Sequence, residues 1–166
     1  MKITLPDNSS RELPEGSSGY DLAKDIGPGL AKSAVAVSVD GVQRDLHDVI
    51  EGDSSVSIIT IDSDEGIEIM RHTLTAQVLA RAIKNLYPKS KLAIGPTIDD
   101  GFYYDVESEK SISSDDLSKI EDEMKKIIKT KSSITKKLVS KSEALKVFKE
   151  NKESVSYTHL TLPTIC

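Results

Sequence analysis

Apolar and polar positions change period several times along this chain, and each change marks an element. Between residues 67 and 86 apolar side chains recur every three to four positions: Ile67, Met70, Leu74, Val78, Ala82 and Leu86, with Leu79 and Ile83 widening the stripe. That spacing predicts an amphipathic helix, and Pro88 stops it. Residues 91–94 and 102–106 follow as two short strands around Gly95-Pro96 and Asp99-Asp100-Gly101. A second helix is predicted over 113–130, capped by Ser113 or Ser114. Asp115 and Asp116 sit in its first turn, and Leu117, Ile120, Met124 and Ile127 form its stripe. Residues 134–139 read as a strand, and 142–149 as a third helix with Ala144, Leu145 and Phe148 inward.

The first sixty residues carry shorter runs. Strands at 2–5 and 11–13 flank a Pro-Asp-Asn-Ser-Ser turn. Residues 20–26 form a short helix, with Ser17 or Ser18 as its N-cap. Gly27-Pro28-Gly29 ends it. The nearly continuous apolar run at 33–39 is expected of a central strand buried on both faces. Asp40-Gly41 turns the chain into a strand at 42–46, and 55–61 closes the sheet. Two strands, a helix and further strands fit a β-grasp arrangement. Residues 62–66, Asp-Ser-Asp-Glu-Gly, make an acidic linker whose charges suit the positive end of the helix that follows.

Charge then narrows the chemistry. The net charge of −5 argues against a dedicated nucleic-acid-binding protein, but it is unevenly spread. Residues 1–106 hold ten Lys+Arg against seventeen Asp+Glu, whereas 107–166 hold twelve against ten. Nine lysines and one acid, Glu143, fall between 125 and 149. The single cysteine, Cys166, excludes a disulfide within the chain and a thiolate zinc site. No apolar run approaches the roughly 20 residues of a membrane span, and the N-terminus has no signal-peptide h-region. A cytoplasmic location is expected. No P-loop and no metal-ligand spacing is present.

Two stretches carry a family resemblance. The run RH…AIKNLYPKSKLAIGPTIDDGFYYDV resembles the start of the editing domain of threonyl-tRNA synthetases. DIGPGLAKSAVAVSVDG resembles the TGS domain at the front of those enzymes and of some GTPases and stringent-response enzymes. The resemblance implies an α+β chain: a β-grasp TGS domain over 1–61, a linker at 62–66, and a truncated α/β editing domain over 67–153. That domain is expected in helix–hairpin–helix–strand–helix order. SVSYTHLTLPTIC, residues 154–166, does not resemble the family's continuation and reads as a foreign or frameshifted tail, so His159 and Cys166 are not site residues.

The resemblance also nominates site residues. His72 matches a family histidine followed four positions later by a second one on the same helix face, where both help position a mischarged aminoacyl ester and the water that cleaves it. Here the i+4 residue is Ala76, and counting back from Pro88 the second histidine falls on Gln77. The chain therefore has one inserted residue and a His→Gln change. A π-bulge can absorb the insertion, but Gln can orient a water without exchanging a proton. Tyr104 matches a residue lining the editing pocket; placed in a strand, Tyr103 and Tyr104 would point to opposite faces. A helix histidine without a reactive role and an aromatic cross-strand pair are the plainer alternatives. Asp99, Asp100 and Asp105 read as turn and strand-end residues rather than a carboxylate cluster. Lys125, Lys126, Lys129, Lys131, Lys136 and Lys137 are candidate tRNA-phosphate contacts, with a solvated surface as the alternative.

By the same resemblance the parent enzyme joins threonine to tRNA(Thr) using ATP, proofreads mischarged seryl-tRNA(Thr), and is a homodimer through its catalytic domain. The chain holds no candidate for the class II core, so ATP and zinc are expected only outside it, and the chain alone is expected to be inactive in aminoacylation. A non-enzymatic TGS-type RNA- or ribosome-associated module is the rival. A free-standing deacylase would need a zinc quartet of His and Cys, which the sequence lacks.

Overall fold

The computed structural model describes residues 1–150 apart from 94, 109, 133, 135 and 136, and only the backbone of 148–150. The segment 154–166 and the inward position expected for Phe148 lie outside the described residues. The chain is α+β and divides into two compact units, Met1–Met70 and a second beginning at Arg71. No helix among the described residues is long and apolar enough to cross a membrane.

The first unit is a five-stranded mixed sheet with one long side covered by a helix. Its strands are β1 (Lys2–Thr4), β2 (Ser10–Glu12), β3 (Ala34–Val39), β4 (Val42–Asp45) and β5 (Ser54–Thr60), in the spatial order β2-β1-β5-β3-β4. Only the β1–β5 pair is parallel. Helix α1 (Gly19–Ile26) starts where Ser18 and Asp21 form a reciprocal capping box. The Ser18 hydroxyl and N–H hold the Asp21 carboxyl below the ordinary carboxylate range. Leu22 from α1 packs with Ile3, Leu13, Val37, Val39, Ile50 and Val56 as the buried core. Asp40 and Gly41 both take positive φ, as the tight β3–β4 turn requires. Asp40 also receives the Ser55 N–H on its Oδ1 at 2.8 Å, tying that turn to β5.

Three expectations change here. Gly27-Pro28-Gly29 does not lead straight into a strand: a second helix, α2 (Pro28–Ser33), begins with Pro28 in its first turn. The strand at 34–39 is interior but not central. β5 is central, because the parallel pairing of β1 and β5 inserts the last strand between the first and third. Ala36 and Val37, on opposite faces of β3, are nonetheless both buried. Finally, the helix expected from residue 67 opens earlier, as α3 (Asp64–Thr73), and its Gly66 N–H is capped by the Ser63 hydroxyl.

The long helix expected over 67–86 is three segments: α3, a π-helix at Leu74–Leu79, and α4 (Ala80–Leu86). The wider π-turn breaks the 3.6 period, so the buried positions are Thr75, Ala82 and Ile83, while Leu86 is exposed. Tyr87 closes α4 just before Pro88. The hairpin is two short ladders in series: β6 (Lys91–Leu92) with β9 (Val106–Glu107), and β7 (Thr97–Ile98) with β8 (Gly101–Phe102). Tyr103, Tyr104 and Asp105 lie between β8 and β9, outside any strand.

Helix α5 (Ser114–Lys129) is capped by Ser113, whose N–H donates to Asp116 Oδ2. Ile120 faces inward as expected, but Leu117 is 60% exposed and leaves the stripe. Asn85 on α4 donates to Glu123 on α5 at 2.9 Å. Helix α6 (Lys141–Glu150) follows, with Ala144 and Leu145 half-buried. Of the strand expected at 134–139, residues 135 and 136 lie outside the described residues and 137–139 are irregular, with Leu138 among the most exposed side chains.

Candidate functional site

Of the residues nominated for the editing site, His72 and Gln77 lie along the run from α3 into the π-helix, and Tyr104 lies on the hairpin, which meets the π-helix at Thr75. His72 lies in the last turn of α3 and Gln77 sits within the π-helix, both half-buried. In an α-helix a side chain five positions on is rotated well away from the first. In a π-turn the hydrogen bonds run i→i+5, which widens the turn. The Ala80 N–H donates to the Thr75 carbonyl in that register. The π-helix thus lies within the stretch between His72 and Pro88 where the family resemblance implies one extra residue.

Tyr104 reaches the same turn from the hairpin. A Cβ built on Gly95 would stand 2.5 Å from Tyr104 Cε2 and 2.8 Å from Thr75 Cγ2. Ring and methyl therefore flank the bare Cα of Gly95. Thr75 is 1% exposed, and its hydroxyl donates to the Arg71 carbonyl at 2.8 Å, a bond that satisfies an otherwise buried polar group. Tyr103 turns the other way and is 63% exposed. The two tyrosines do separate inward and outward, though on irregular backbone. On either side of them the Tyr103 N–H donates to Pro96 and the Ala93 N–H to the Asp105 carbonyl, keeping the two ladders in line.

Arg71 holds the hairpin tip. Its Nη1 donates to the carbonyl of Asp99 at 2.5 Å and, longer, to that of Ile98 at 3.4 Å. Asp99 and Asp100 form the two-residue turn itself. Among the described residues no group of three or more His, Cys, Asp or Glu is placed to hold a metal ion, so the donors present do not fit zinc. Sequence reasoning passed over Arg71, Thr75 and Gly95. A threonine in an apolar helix interior was the available signal for Thr75; Gly95 read as a turn glycine.

The lysine candidates are divided by the structure. Lys125 pairs with Glu121 at 2.8 Å and Lys126 with Glu123 at 3.1 Å along α5. Both acids are held below the ordinary range by these ammonium groups, Glu123 first of all by Asn85. Lys129, Lys131 and Lys137 are exposed, and Lys136 lies outside the described residues.

The β-grasp sheet with its single capped helix defines the class of the first unit, and residues 1–60 match the TGS domain family. The first unit is a TGS domain. Over a longer span, the chain is 50% identical across 151 residues to the "Threonine--tRNA ligase" of Desulfatibacillum aliphaticivorans. That match covers 91% of this chain and 23% of the relative, so the chain spans about a quarter of the length of the curated protein it resembles.

Proposed function

We propose that this chain is the tRNA-contacting and proofreading front portion of a threonine–tRNA ligase. The whole protein would join threonine to tRNA(Thr) with ATP and hydrolyse seryl-tRNA(Thr) made in error. One observation carries this reading. The similarity to a threonine–tRNA ligase extends over 151 residues, far past the 60 that match the TGS family. A bare TGS-type binding module would account only for the first part. The TGS unit also counts five Lys+Arg against ten Asp+Glu over 1–60, a balance that repels phosphate.

In the proofreading step water attacks the seryl carbonyl, the ester bond to the terminal ribose breaks, and the released oxygen takes a proton. His72 in the last turn of α3 and Gln77 in the π-helix suit orientation of the ester and the water, and Tyr104 suits the pocket wall. The Gln77 amide can orient a water but is not an acid–base group. ATP and zinc belong to the catalytic portion of such a protein, as does pairing into a homodimer, and a cytoplasmic location suits the activity. Lys129, Lys131 and Lys137 are the better candidates for phosphate contacts, since they lie outside the α5 ion pairs. The extents 1–61 and 67–153 are the proposed domain limits.

The test uses the full-length product of the gene that encodes this chain. It should charge tRNA(Thr) with threonine and deacylate seryl-tRNA(Thr), whereas the 166-residue chain should not charge tRNA. A full-length product without threonylation would overturn the proposal.

A further inference from the structure

We propose that Arg71 and Gly95 are positioning residues that seat Tyr104 on the π-turn, and so assemble the hairpin side of the proofreading pocket. The inference rests on the function proposed above but draws on geometry of its own. The hairpin meets the helix through two devices. Arg71 Nη1 grips the carbonyls of Ile98 and Asp99 at the tip. Charge-assisted donors such as a guanidinium are the strong ones. Farther back, Gly95 leaves room for the Tyr104 ring against Thr75, in a space that any Cβ would fill.

The two devices act on one object. The backbone between them is held by the β7–β8 ladder and by the Tyr103-to-Pro96 bond, so the tip and the Tyr104 seat move together. Thr75 links the seat back to Arg71, since its hydroxyl donates to the Arg71 carbonyl. Loosening either contact shifts the Tyr104 ring relative to His72 and Gln77, which the helix carries. Displacements of about 1 Å at a site can lower rates by as much as about 100-fold.

Two measurements test this. In the 166-residue chain, the Thr75 γ-methyl resonance should be displaced by the Tyr104 ring current and return toward an ordinary position in Tyr104→Leu. Gly95→Ala should move it the same way; an unmoved methyl overturns the seat. In the full-length protein, Gly95→Ala and Arg71→Met should each lower kcat for seryl-tRNA deacylation by about tenfold or more with KM nearly unchanged, and Arg71→Lys should recover part of the loss. In a Tyr104→Leu background Gly95→Ala should have no further effect on kcat. Independent, multiplying losses would overturn the proposal, because they would show that Gly95 acts elsewhere. If the wild-type protein does not deacylate seryl-tRNA, the proofreading reading falls, and the Thr75 methyl alone decides whether Tyr104 is seated as described.

Discussion

Two helical glycines of the TGS unit should respond in opposite directions to the same substitution. Gly19 opens α1 and is buried against β3: a Cβ there would lie 2.7 Å from Val37 Cβ and 3.0 Å from both Val37 γ-carbons. Carbon atoms prefer about 3.5–4.0 Å, so α1 and β3 must part by up to about 1 Å. Val37 is itself fully buried and cannot swing aside. Overpacking of this sort costs about 1–3 kcal/mol. The gain in helix propensity from Gly to Ala is at most about 1 kcal/mol, and smaller in a first turn. Gly19→Ala should therefore destabilise the unit by about 1–2 kcal/mol. Gly29, in α2, meets nothing within 4 Å of the same added carbon, so Gly29→Ala should stabilise by about 0.4–1 kcal/mol through the unfolded chain. The assay is amide hydrogen exchange of β3 and β5 in the full chain, which reads this unit without requiring both units to unfold together. Gly19→Ala should speed exchange roughly 5- to 30-fold, and Gly29→Ala should slow it. If both variants slowed exchange, the close approach of α1 to Val37 would be refuted.

Ser18→Ala should cost the TGS unit about 1 kcal/mol, because the α1 capping box is lost; unchanged β3 exchange would count against it. Asp116 is held at about 2, from an ordinary 3.8, by the Lys119 ammonium and by the Ser113 N–H and hydroxyl. A lowered carboxylate stabilises above its unfolded value and stops doing so as pH falls through the folded one. The α5 cap should therefore persist at pH 4 and fail toward pH 2, and carboxyl-carbon NMR finding Asp116 at its ordinary value would refute this. Deleting Thr73 together with Gln77→His should convert the π-turn to α-helix and restore a histidine pair. In the full-length protein seryl-tRNA deacylation should then rise by about 100-fold, the usual worth of a positioned acid or base. Equal rates would show that the departure from the family pattern does not matter.

What was legible in the sequence is what local chemistry decides. Ser18 as a cap, Asp40-Gly41 as a hairpin turn and Pro88 as a stop each follow from the residue's own backbone preferences, and each stands in the structure. The family resemblance implies one extra residue between His72 and Pro88, and a π-helix lies within that stretch. Contacts between distant residues were less legible. Gly95 looks like any glycine before a proline, and only Tyr104, nine positions on, and Thr75, twenty positions back, explain why a side chain is excluded there. Leu117 fits the α5 period but finds no cover among the described residues. The Pro28 helix was hidden because Gly-Pro-Gly signals an end and a beginning equally well.

The order of the TGS sheet has a consequence for synthesis. The chain leaves the ribosome from its N-terminus at roughly 5–20 residues per second. β1 can pair with β2, and β3 with β4, as soon as each hairpin emerges, but these are the two outer pairs of the sheet. The gap between them belongs to Ser54–Thr60, the last strand made. Until it arrives, β1 and β3 each present an open edge, the kind of surface on which chains pair with one another. A pause in translation that leaves β1 to β4 outside the ribosome and Ser54–Thr60 still in its exit tunnel would hold a nascent chain with two half-sheets and no middle. Rare codons timed to that stage should raise aggregation of the nascent product more than the same codons placed far enough downstream for β5 to have emerged.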